Sequence, residues 1–104
     1  MDNLPKTVTI AGVPVRIVRA DLSEEEVFGY WSLDRKTITI HKPLGRKKLL
    51  ETIRHEMLHA VLDLSGVSFS EGGPFPDEAV VRALESLFFA PWDRLVARLN
   101  KKIP

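Results

Sequence analysis

The chain reads as α+β. Three observations support that class: β-forming segments crowd residues 6–40, amphipathic helical periodicity takes over from residue 45, and all strands precede all helices. A length of 104 residues supports one modest core, so the expectation is a single domain over residues 1–104.

The strands come first. Residues 6–10 alternate, with Val8 and Ile10 on one face, and Val13, Val15 and Ile17 repeat the pattern after Ala11-Gly12. That predicts a hairpin. The acidic stretch 21–26 carries Ser23 and Glu26 at capping-box spacing, which predicts one helical turn. Residues 28–33 and 36–40 flank Asp34-Arg35 and predict a second hairpin, with Thr37, Ile38, Thr39 and Ile40 strongly β-forming. An antiparallel sheet of three to four strands follows from these segments. Tyr30 and Trp31 are strand neighbours and point to opposite faces, so one of them belongs to the core.

Residues 45–64 form the clearest helix. Leu50, Ile53, Met57, Ala60, Val61 and Leu64 make one apolar stripe, with Lys48, Thr52, His55, His59 and Asp63 on the other side. Gly66 suits a helix stop. Arg46, Lys47 and Lys48 occupy the first turn, where positive charge opposes the helix dipole. Gly72-Gly73-Pro74 marks residues 67–76 as a loop, and Pro76 suits the first position of a second helix. Val80, Ala83, Leu84, Leu87 and Phe88 are its expected buried face. Pro91 is expected to break it, leaving residues 92–102 as a third helix with Leu95, Val96 and Leu99 inside. Phe88, Phe89 and Trp92 read as core, with Phe89 also placed to wall a pocket.

Composition narrows the chemistry. Cysteine is absent, which excludes disulfides, thiolate metal sites and cysteine nucleophiles. The net charge of +1 gives no broad field for nucleic acid or an anionic membrane, and Arg46 to Lys48 is a single short basic cluster. Residues 1–10 lack the character of a signal peptide, and the longest apolar run, 87–92, is far below the ~18 residues of a membrane span. The expected setting is cytoplasmic, with no membrane and no nucleic-acid partner.

The decisive pattern is His55-Glu56-Met57-Leu58-His59, an H-E-x-x-H motif inside the clearest helix. Residues four apart on a helix are surface neighbours, so both imidazoles can reach one metal ion. Glu56 between them is placed to act as general base on water. A catalytic zinc takes three protein ligands and keeps one open position. The metzincin spacing would need glycine at position 62 and histidine at position 65, where this chain has Leu62 and Ser65. His41 is the remaining histidine and reads as a strand-end residue. A downstream carboxylate is left: Glu78 first, opposite the apolar stripe of its helix, then Glu85, then Asp77. Asp63, one turn after His59, is a candidate for orienting an imidazole.

His55-Glu56-Met57-Leu58-His59-Ala60, followed by the helix from Asp77-Glu78-Ala79 to Leu84-Glu85, resembles the gluzincins, in particular the minimal gluzincin-like zinc metallopeptidases of phage and bacterial genomes. The resemblance covers roughly residues 28–90. It implies a zincin-like fold, Zn2+ held by His55, His59 and Glu78, and Glu56 as the catalytic base. It implies a protein or peptide substrate laid along an edge strand drawn from residues 28–33 or 36–40. An oxyanion-stabilising Tyr, His or Arg is common in that group, and Tyr30, His41 and Arg82 are the candidates. The alternative expectation is a catalytically silent metal-binding protein acting through protein–protein interaction.

Overall fold

The computed structural model describes residues 4–66 and 77–102. The chain is α+β, with a four-stranded mixed sheet followed by helices, and it divides into two compact units, Met1–Gly73 and Pro74–Pro104.

The first unit contains β1 (Thr7–Ile10), β2 (Val13–Ala20), β3 (Gly29–Ser32), β4 (Thr37–His41) and α1 (Arg46–Leu64). Ala11 and Gly12 join β1 to β2, both at positive φ (51° and 78°). That is the primed two-residue turn that matches strand twist in a tight hairpin. β3 and β4 form the second expected hairpin, closed by Lys36 at φ 49°. The sheet order is β1-β2-β4-β3. The sheet is therefore not wholly antiparallel as expected: β2 and β4 run parallel, with Ile17 opposite Ile38 and Arg19 opposite Ile40. After β2 the chain crosses to form the outer strand β3, and β4 returns between the two. A central strand loses solvent on both sides, and Thr37, Ile38, Thr39 and Ile40 are all buried.

Residues 23–26 turn as expected, but the cap differs. Asp21 Oδ1 accepts from the Ser23 backbone N–H (2.9 Å) and from Ser23 Oγ (2.6 Å), so Asp21 rather than Ser23 holds the turn. Those two hydrogen bonds lower the Asp21 pKa.

α1 follows its predicted bounds and ends as predicted, with Gly66 at φ 84° donating to the Asp63 carbonyl (3.2 Å). Its buried face is rotated from the predicted stripe. Leu49, Thr52, Ile53 and Ala60 are buried, whereas Leu50 and Val61 are exposed. The reason lies in what the helix meets. Thr52 packs against Gly29 of β3, where an added Cβ would lie 2.8 Å from Thr52 Cγ2 and 2.9 Å from the Thr39 carbonyl oxygen. Only a glycine lets helix and strand approach this closely. Thr52 also satisfies its hydroxyl internally, donating to the Lys48 carbonyl (2.7 Å). Ile10, Val15, Ile38, Ile40, Leu49 and Ile53 form the centre of the core, and Trp31 packs on its margin while Tyr30 faces outward. In the basic first turn, Lys48 Nζ stands 4.7 Å from the centre of the Phe28 ring and 4.0 Å from Glu51 Oε1.

The second unit is helical: α2 (Asp77–Leu84), a π-helical turn (Glu85–Phe89) and α3 (Ala90–Lys102). The loop expected over 67–76, with Pro76 at a helix start, lies outside the described residues. Pro91 does not break the helix. A proline ring in a regular helix presses on the carbonyl four residues back. Here the preceding turn is widened, the Ala90 N–H donating to the Glu85 carbonyl five residues back, and Pro91 falls in the first turn of α3. Val81 is the fully buried residue of α2, while Ala83, Leu87 and Phe88, placed inside by periodicity, are exposed. Leu95, Leu99 and Trp92 are likewise exposed, and Val96 and Phe89 are half-buried. The stripe that periodicity marks on this helical run therefore does not coincide with what is buried, and Val81 lies outside it.

Candidate metal centre

α1 presents the motif as its spacing predicts. The His55 and His59 rings have centroids 5.0 Å apart and planes inclined at 64°. Glu56 precedes His59 by three residues and is half-buried on the adjoining strip of the helix. His55, His59 and Glu78 each offer one ligand atom, these atoms lie within 4.8 Å of one another, and the three residues could hold a metal ion. Two imidazoles and one carboxylate form the donor set of a site that keeps an open position. All three residues are half-buried, where charge interactions are stronger than in bulk water.

Glu78 has a partner in its own helix that the spacing could have disclosed. Arg82 Nε donates to Glu78 Oε2 at 3.0 Å, an acid followed four residues later by a base. The guanidinium fixes one carboxylate oxygen, which orients the other. Arg82, a candidate oxyanion stabiliser by sequence, is thus engaged with Glu78. Glu85, the second candidate ligand, stands at the start of the π turn and is not in the ligand group, and the Asp77 side chain lies outside the described residues.

The remaining candidates are placed by unit 1. His41 sits at the end of β4, where its Nδ1 accepts the Leu22 N–H (3.0 Å), and so it has a structural task. Tyr30 lies on β3 with its side chain outward. Asp63 does not serve an imidazole as expected. Its Oδ2 accepts the Trp31 indole N–H at 2.7 Å, because the last turns of α1 pass over β3. This bond ties the C-terminal part of the motif helix to the strand. The sheet order also separates the two strands proposed for peptide addition. β4 is paired on both sides and excluded, whereas β3 is an outer strand that pairs with β4 alone among the described residues.

The chain matches no protein-family model, and comparison with curated proteins and with solved structures finds no match.

Proposed function

We propose that the chain is a zinc-dependent metallopeptidase in which His55, His59 and Glu78 hold the ion. The observation that carries the reading is that His55, His59 and Glu78 could hold one ion, with the H-E-x-x-H glutamate on the same helix as the two imidazoles. A zinc ion held there supplies a Lewis acid that acidifies water and polarises a peptide carbonyl. Glu56 takes the proton on its carboxylate and passes it to the departing amine, acting first as base and then as acid. An extended peptide pairs with the outer edge of β3, main chain to main chain, and Tyr30 lies on that strand. Arg82 holds Glu78, and the Trp31–Asp63 bond keeps the motif helix against the strand that receives substrate.

Metal analysis of the purified chain tests the centre. About one zinc per chain is expected, lost in His55→Ala and His59→Ala. Glu78→Ala weakens retention and Glu85→Ala does not. Glu56→Gln keeps the metal and abolishes cleavage of peptide libraries. If wild type and Glu56→Gln retain zinc and are equally inert, the metal is structural and the chain acts as a binding protein instead.

A further inference from the structure

α3 is amphipathic, yet it is exposed almost all round. Residues 91–95 and 97–101 are exposed and Val96 is half-buried. The element closes a continuous helical run from Asp77 to Lys102. Its apolar side carries Trp92, Leu95 and Leu99, each about half exposed at 47–50%. Phe88 extends that side into the π turn, its ring stacked on Trp92 with centroids 6.2 Å apart and planes 10° from parallel. Phe88 and Leu87 then line an apolar groove of about 410 Å³ with Ala79, Val80, Ala83 and Leu84. One apolar surface thus continues from α2 through α3.

The polar side of α3 has a single sign. Arg94, Arg98 and Lys101 are exposed at spacings of four and three residues, which sets them in one row, and Asp93 is the one acid in the element. The whole-chain charge of +1 conceals this local excess. Aromatic and leucine side chains on one side and arginine and lysine on the other form the pattern of a helix lying in a lipid interface. No described helix is long and apolar enough to cross a membrane, so the fit is to the plane of the interface.

We propose that this helical segment docks on an anionic lipid surface. Trp92, Leu95, Leu99 and Phe88 enter the boundary between headgroups and acyl chains, while Arg94, Arg98 and Lys101 meet the lipid charge. This inference does not rest on the metal centre. Co-sedimentation of the full chain with phosphatidylcholine vesicles, with and without phosphatidylserine, tests it. Binding is expected to the anionic vesicles and to weaken as salt is raised. R94Q/R98Q is expected to lower partitioning about 25-fold, about fivefold for each cation removed. Both residues are exposed, so the helical circular dichroism of the variant should match wild type. Wild type that ignores anionic vesicles at low salt overturns the proposal, as does R94Q/R98Q binding at wild-type strength. A wild-type dimer in sedimentation velocity that Leu95→Ser and Leu99→Ser dissolve overturns it too, because a second copy then covers the face.

Discussion

Ile38 and Ile40, in the central strand of the first unit, have no solvent exposure, whereas Leu87, in the π turn of the second, is 78% exposed. Both units are rich in aliphatic and aromatic side chains, yet one folds around them and the other displays them. β4 closes from both sides, by pairing with β2 and β3, and α1 lies over the same sheet. In the helical run, Phe88, Trp92, Leu95 and Leu99 stay half in water. Apolar content alone therefore does not identify a core. A core needs a second layer, and stability concentrates where that layer exists.

The contrast is broken most directly by truncating one residue in each unit. Ile40→Ala removes buried volume from the sheet core and is expected to cost about 2–5 kcal/mol in urea unfolding. Leu87→Ala, at a site largely in water already, is expected to stay within about 0.5 kcal/mol of wild type. Similar losses at the two positions would show that the helical run is as well covered as the sheet.

Gly29→Ala sharpens the reading of the first unit. Its Cβ would stand 2.9 Å from a backbone oxygen, which cannot rotate away. A loss of about 1–3 kcal/mol is expected, with α1 displaced from β3. Amide exchange in the last turns of α1 should then rise, because the Trp31–Asp63 bond spans the same contact.

These residues also show what the sequence could disclose. The bounds of α1 were legible because helix signals are local: an unbroken period, a glycine stop and no internal proline. Both hairpins were legible from their turn residues. The parallel β2–β4 pairing was not, since it joins strands separated by β3 and leaves no local mark. The face of α1 was misjudged because Leu49 and Leu50 are adjacent, and only the close approach at Gly29 decides which one turns inward. At the candidate centre, His55, Glu56 and His59 come from one helix and could be read together. Glu78 could be ranked first but not placed, because its position depends on how the chain returns after residue 66. The π turn before Pro91 had no precedent in the periodicity, because it changes the period itself.

Smaller effects test single turns of the first unit. Ala11 holds φ 51°, a region costly for a residue with a Cβ, so Ala11→Asn is expected to raise stability by about 0.5–1 kcal/mol through the Asn-Gly pair that such turns favour. Thermal melting measures it. The smallest effect is at Asp21. Its lowered pKa means that its contribution is present above the unfolded value of 3.8 and is lost as pH falls through the still lower folded value. Asp21→Asn should flatten that part of the acid unfolding profile, with a small loss of stability at neutral pH and nearly none below the folded value. An unaltered acid limb would assign the turn's strength to its backbone bonds alone.

The π turn at Glu85–Phe89 amounts to one surplus residue in an otherwise regular rod. Winding the same five residues as ordinary helix would carry everything after them further round the axis, by most of the ~100° that one residue turns. The apolar side of α2 would then part from that of α3, and the oily flank would split into two patches on different bearings. The wide turn is thus a phase adjuster that keeps two short rods presenting one continuous side.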